Sequence, residues 1–196
     1  MASALADIPP GKVAAIVTSL QMSAAPPARP DPPDFGNLRL RSEATPSLDW
    51  YRALFRKVGA DWLWLSRLTM SDAQLTAILF DPAVEVFVLM DGAEEAGMLE
   101  LDFRTPRQCE LAFFGLAPGW IGKGAGRWLM NRAIERAWAR PISRLWVHTC
   151  THDHPGALEF YIRSGFQPFR RQVEVADDPR LAGQLPKDKA PHIPVL

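Results

Sequence analysis

The stretch from Glu110 to Trp138, ELAFFGLAPGWIGKGAGRWLMNRAIERAW, limits the possible folds more than any other part of the chain. Glu110 to Ala117 is dominated by apolar and aromatic residues, as a strand covered on both faces would be. Pro118-Gly119 interrupts it, and Gly122, Gly124 and Gly126 follow. From Arg127 the period becomes helical. Leu129, Met130, Ala133, Ile134 and Ala137 share one face, and Asn131, Arg132, Glu135 and Arg136 share the other. The first N–H groups of a helix have no internal partner and lie at the positive end of its dipole. Glycines before them allow close backbone approach, so such a junction can cradle phosphate oxygens. The plainer alternative is a tight turn that needs glycine for steric reasons alone; three alternating glycines favour the cradle. A Walker A loop would need Lys-Ser/Thr where Arg127-Trp128 stands, and a Rossmann loop belongs to an early βαβ unit.

The 196 residues suffice for one domain with ornaments around a real core. Twenty-two basic residues balance 22 acidic ones, so no global field recruits nucleic acid or an acidic membrane. No apolar run approaches the ~20 residues of a membrane helix, and no signal-peptide pattern opens the chain. The expected location is the cytoplasm. Cys109 and Cys150 fall in expected strands and read as reduced thiols rather than a disulfide framework.

Residues 1–35 form an expected N-terminal extension. Lys12 to Met22 is β-branched enough for a strand or short docked segment, and Ala24 to Asp34, AAPPARPDPPD, should run extended. Such a strand could join the edge of its own sheet or of a partner's, which makes a homodimer one expected assembly. Residues 36–178 carry the main domain, and 179–196 a proline-spotted tail. Leu38 to Arg41 reads as a short strand, Leu48 to Val58 as a helix capped by Ser47, and Ser71-Asp72 opens a helix through Leu79. Val84 to Met90, Ala96 to Phe103 and the Glu110 strand make an antiparallel meander. After the Arg127 helix come a strand from Arg144 to Thr149, a helix from His154-Pro155 to Gly165, and a strand from Gln167 to Val175. The order is α+β, a mixed, mostly antiparallel central sheet with helices on both faces.

Pro118 to Gly126 resembles the pyrophosphate loop of the GNAT superfamily of N-acetyltransferases, Q/R-x-x-G-x-G/A. Gly124 and Gly126 match its small positions, and Ile121 stands where the family usually has Gln or Arg. Ala157 to Phe166, ALEFYIRSGF, resembles the family's A-x-x-F/L-Y-x-x-x-G-F helix and turn. The resemblance extends over about Leu38 to Val175. It implies a GNAT-like acyl-CoA N-acyltransferase fold, in which the strands before and after the loop splay and acyl-CoA enters the wedge. It also implies acetyl-CoA as cosubstrate and direct acetyl transfer to a small-molecule or peptide amine. Phe114 and Leu116 would offer backbone groups to the pantetheine, and Ile121, Gly122, Lys123, Gly124, Ala125 and Gly126 would hold the pyrophosphate. Arg127 would add charge, and His154 stands where many members contact the cofactor through Asn. Glu110 matches the position of the base in several members, and Tyr161 that of the usual thiolate proton donor.

On strict alternation Glu110 shares a face with Ala112, Phe114 and Leu116, where burial would raise its pKa towards that of a base. At the strand's open end it would instead be solvated or salt-bridged. Tyr161 is either a proton donor or a packed ring. Trp62 and Trp64 lie where the family builds its acceptor pocket, and read as acceptor-site or core aromatics. His148, Cys150 and His152 alternate on one strand face but lack C-x-x-C or H-E-x-x-H spacing, so no metal site is expected, and they read as lining the acceptor side of the wedge or as packing. A non-catalytic acyl-CoA sensor, and transfer of another acyl group or to another acceptor, stay open; a metal-dependent hydrolase is more remote.

Overall fold

The computed structural model describes residues 5–33 and 37–196. Its strands are β1 (Lys12–Met22), β2 (Leu38–Glu43), β3 (Val84–Asp91), β4 (Glu94–Asp102), β5 (Gln108–Leu116), β6 (Arg144–Cys150) and β7 (Gln167–Asp177). Its helices are α1 (Leu48–Gly59), the single turn α2 (Ser66–Thr69), α3 (Asp72–Leu79), α4 (Ala125–Trp138) and α5 (Ala157–Arg163). The strands form one sheet in the order β2-β3-β4-β5-β6-β1-β7. Among the described residues only β5 and β6 pair in parallel.

Each face of the sheet has its own core. In α1, Tyr51, Leu54, Phe55 and Val58 are spaced i, i+3, i+4, i+7 and pack with Leu75 and Leu79 of α3 against Val86, Val88 and Met98. On the opposite face α4 buries Leu129, Met130, Ala133 and Ala137 against Leu99, Leu101, Leu111 and Leu145. Full burial of one such Leu or Phe contributes about 1.5–3 kcal/mol. Ser47 accepts the Trp50 N–H at 3.2 Å to start α1, and Ser71 and Gln74 form a capping box on α3. Losing either cap would cost about 1 kcal/mol. Beneath α1 lies a polar knot. Glu100, wholly buried, accepts from Arg67 Nη2 at 2.6 Å and from the Tyr51 hydroxyl.

The N-terminal strand is not at an edge. β1 lies between β6 and β7, with Val17 opposite Cys150 on one side and Gln172 on the other. Val13, Ala15, Leu20 and Met22 are buried, and a strand with apolar residues to cover belongs inside a sheet. The proline-rich connector then crosses the α4–α5 face. Asn131, expected on the polar face of α4, is buried there and donates to the Arg29 carbonyl at 3.0 Å and to Asp31 Oδ1 at 2.8 Å. Arg29 Nη1 donates to the Arg163 carbonyl at 3.0 Å. The expected boundary at residues 35 and 36 lies outside the described residues.

The tail winds around one guanidinium. Arg180 is buried with Asp178, to which it donates at 3.0 and 2.8 Å. Its Nη1 reaches the carbonyls of Lys189, Ala190 and Ile193 at 3.1, 3.1 and 2.8 Å. A buried cation is tolerable only when its donors are met in this way. Among the described residues no helix is long and apolar enough to cross a membrane.

Candidate active site

β5 and β6 pair only from Gln108 to Glu110 against Arg144 to Trp146. Beyond Glu110 they part. The β4–β5 register slips there: Leu101 faces Leu111 but Glu100 faces Phe113, leaving Ala112 as an extra residue. A bulge bends a strand and increases its twist, which swings β5 away from β6. A cavity of about 830 Å³ fills the gap, with Phe113, Phe114 and Leu116 on one wall and Val147, His148 and Cys150 on the other.

One end of the cavity is built for anions. Gly122 and Gly124 take φ of +80° and +94°, and Gly124 caps the N-terminus of α4. Ile121, Gly122, Gly124, Gly126 and Arg127 line this end. A Cβ on Gly126 would meet the protein only at 3.7 Å, so the fold itself leaves space there. Arg127 Nε is buried with no partner among the described residues. An unmet buried donor costs about 1–3 kcal/mol, which an incoming oxygen would offset. Arg29 and Arg163 line the cavity too. These features fit a polyphosphate. Two expected contacts are absent as side chains: Ala125 is buried in the core, and Lys123 is exposed, with its ammonium 5.8 Å from the Trp120 ring centre.

The other end is aromatic and acidic. Leu63 sits at φ +55°, an uncommon conformation for a branched residue, between Trp62 and Trp64, which both line the cavity. Trp64 Nε1 donates to Asp153 Oδ1 at 3.2 Å. Asp153 also accepts the Thr149 hydroxyl at 2.7 Å and the Cys150 N–H at 2.9 Å. Trp62 meets His154 edge-on at 5.4 Å and the tail's His192 at 6.0 Å. His154 Nδ1 accepts the Gly156 N–H at 3.0 Å, so this histidine holds its own turn and packs on Trp62. Glu174 and Asp177 of β7 complete the acidic side.

The bulge also corrects the expected placement of Glu110. The extra residue breaks strict alternation, so Glu110 stands opposite Asp102 and on the other face from Phe114, whose partner is Leu99. It lines a smaller pocket with Asp102, Arg104, Thr105 and Trp146. Its link to the main cavity is His148, whose Nδ1 lies 3.5 Å from Glu110 Oε1. The hydrogen-bonding carboxylate raises the His148 pKa above 6.5, against the opposing effect of burial. Tyr161 lines the cavity, its ring packed by Phe114, Phe160 and Phe166. Burial, with Asp153 adding, holds it neutral by raising its pKa well above 10.

Burial likewise pushes the Cys150 thiol up to about 11. His152 Nε2 turns away to the Ala14 carbonyl at 3.0 Å. The alternating His148, Cys150 and His152 therefore do not converge. Among the described residues no group of three or more His, Cys, Asp or Glu is placed to hold a metal. The sequence reading missed Arg29, Arg163, Asp153 and the link between Glu110 and His148. Arg29 alone had a visible signal: a lone cation in a stiff proline run is held at a fixed place.

The splayed sheet thus carries an anion cradle beside its wedge. The model of the acetyltransferase (GNAT) family matches residues 47–166, and the chain belongs to that family. No curated protein matches the sequence. Among solved structures, a functionally unknown conserved protein from Staphylococcus epidermidis aligns at TM-score 0.55 and 11% identity, over 86% of this chain and 64% of that one. A GCN5-related N-acetyltransferase from Sphaerobacter thermophilus aligns at 0.58 and 18%, over 87% and 53%. A GNAT family acetyltransferase from Elizabethkingia anophelis, solved with acetyl-CoA bound, aligns at 0.52 and 18%, over 69% and 79%. This chain thus spans less than two thirds of the length of the first two. At such identities the likeness establishes the fold.

Proposed function

We propose that the protein transfers the acetyl group of acetyl-CoA directly to the amine of a cationic acceptor. The observation that carries this reading is the polarity of the cavity. Arg127 opens the helix after the glycine loop and lines the cavity with Arg29 and Arg163, whereas Asp153, hydrogen-bonded to Trp64, lines it with both tryptophans and with Glu174 and the Lys12-paired Asp177 of β7. Such a cavity suits an anionic donor and an ammonium acceptor with an apolar body.

Bound acetyl-CoA supplies an activated thioester, whose C–S bond breaks as the N–C bond to the acceptor forms. The loop amides and Arg127 Nε bind the pyrophosphate oxygens. The outer edge of β5 at Phe114 and Leu116 takes the pantetheine amides as a partial extra strand. His148 accepts the proton lost by the amine on Nε2, while Glu110 engages Nδ1, orients the ring and stabilises the imidazolium. Glu110 is thus a positioning residue rather than the base itself. Tyr161, held neutral, donates its hydroxyl hydrogen to the leaving sulfur and regains a proton from solvent, to which the His148 imidazolium releases the one it took from the amine. With its raised pKa Cys150 stays a thiol, which favours direct transfer over an acyl-enzyme.

Calorimetric titration with acetyl-CoA, followed by a thiol-release screen of amines and alcohols, tests the proposal. Saturable acetyl-CoA binding, with thiol released only on adding a cationic amine, is the expected result. No binding removes the donor assignment; binding with release from alcohols alone removes the acceptor.

A further inference from the structure

Residues 178–196 lie beyond the stretch that matches the family, 47–166, yet they are firmly packed. Asp178, Arg180, Leu185 and Ala190 are buried. The three carbonyls that Arg180 fastens belong to Lys189, Ala190 and Ile193, so they bracket both Lys189 and His192. The Gly11 N–H donates to the Leu196 carbonyl at 3.2 Å, which ties the tail to the start of β1. A guanidinium fork can hold several acceptors in one geometry, which a single ammonium cannot do.

The segment so fixed brings two side chains to one place. Lys189 Nζ donates to Asp61 Oδ1 at 3.0 Å, and the next residue but two towards the C-terminus, His192, packs on Trp62, the neighbour of Asp61. Because Trp62 also meets His154, three segments distant in sequence converge on one indole that lines the cavity. Pro179, where the tail leaves β7, lines the cavity as well. The backbone is strained on both sides of this contact. Of the three non-glycine residues with positive φ among the described residues, Leu63 follows Trp62 and Ala190 follows Lys189, at +55° and +48°. Such conformations cost free energy and persist only where their surroundings over-determine them. Two strained turns meeting at one indole mark a position held for use.

We propose that the C-terminal tail selects the acceptor. Arg180 sets the tail's shape, the Lys189–Asp61 pair latches it, and with His192 it fixes where Trp62 bounds the aromatic end of the cavity. The inference rests on the acceptor reading of that end. Asp61, Arg180, Lys189 and His192 are positioning residues; Trp62 is the group that meets the apolar body of the amine. An indole already held in place need not be ordered when the acceptor arrives, so the latch acts on acceptor affinity and leaves the donor site and His148 alone.

Two measurements on the full chain test this: amide hydrogen exchange over residues 60–65, and steady-state thiol release from acetyl-CoA with butylamine, phenethylamine and tryptamine. Lys189→Glu and Asp61→Lys each set like charges at the latch. Either should speed exchange over 60–65 by about threefold or more while residues 121–127 exchange as in wild type. Either should also raise acceptor KM by about three- to fivefold, the worth of one exposed ion pair, with kcat and the acetyl-CoA dissociation constant within about twofold. The reversal Asp61→Lys/Lys189→Glu should restore both readings. Arg180→Lys should show the same pattern more strongly. Unchanged exchange over 60–65 in both single variants overturns the inference, and so does faster exchange with unchanged acceptor KM or a reversal that fails to rescue. A wild type that binds acetyl-CoA but releases thiol with none of these amines removes the acceptor reading instead, and exchange over 60–65 then decides whether the tail holds Trp62.

Discussion

Gly115 packs under Trp64, which lines the proposed acceptor side of the cavity, and Gly115→Ala separates that packing from the proposed donor side. A Cβ at this position would lie 2.4 Å from Val58 Cγ1 and 3.0 Å from Trp64 Cη2. Carbon atoms rest about 3.5–4.0 Å apart, so the added methyl needs somewhat over an ångström of relief at Val58 and roughly half to one ångström at Trp64. Val58 has little room to give, being buried under α1. The Trp64 ring already fills the space where a Gly59 Cβ would stand, at 2.4 Å, and is flanked by Phe55 and Phe113 at 5.4 and 5.3 Å. Overpacking of this kind costs about 1–3 kcal/mol. For a chain of this size that lowers Tm by about 2–12 °C. Walled by Phe55, Phe113 and Gly59, the indole is expected to shift towards the cavity it lines and to strain its N–H bond to Asp153. Acceptor KM should therefore rise while the acetyl-CoA dissociation constant stays within about twofold, a split that marks loss of acceptor binding alone. Thermal melts, calorimetry and steady-state thiol release read the three quantities. A Tm within about 1 °C of wild type together with an unchanged acceptor KM would refute the reasoning.

Further outcomes follow from the same geometry. Glu110→Gln removes the charge that raises His148; because the base works when neutral, the acidic limb of the kcat/KM profile should move to lower pH, and a limb that stays in place rules out the pairing. Arg29→Ala should weaken acetyl-CoA binding by up to about fivefold, the worth of an exposed ion pair, with acceptor KM untouched; a change in acceptor KM alone would put Arg29 elsewhere. Arg67→Met leaves the buried Glu100 with Tyr51 only and should cost about 3–5 kcal/mol in urea melts. Adding Glu100→Leu should recover part of that loss, and a single variant as stable as wild type would show that the knot is solvated.

Local rules carried much of this fold into the sequence. Ser47 and Ser71 announce their helices, and the glycines from Gly122 to Gly126 announce a strand-to-helix junction, because each effect acts within one turn of the residue that causes it. The Glu110 face was misread because alternation assumes a regular ladder. The extra residue at Ala112 exists only by agreement between β4 and β5, and nothing in FFGL declares it. β1 was legible as a strand but not as an interior one, since its neighbours lie far along the chain. Arg180 is one arginine among many until the tail supplies its acceptors. His148 reads from sequence as lining the acceptor side or packing, not as a base, because its carboxylate partner comes from another strand.

The interior place of β1 has a consequence for how the molecule is made. Its contacts reach across 135 residues to Thr151 and 165 to Asp177. On the ribosome β1 emerges long before either neighbour exists, and waits as an unpaired apolar strand while the β2–β5 meander can already close. Pairings so distant in sequence are slow to form and leave intermediates open to aggregation. β7 cannot enter the sheet until β1 has, so the wall of the cavity that β7 supplies is the last part of the fold to assemble. Synthesis would thus yield a half-sheet with its glycine loop in place well before it yields a complete cavity.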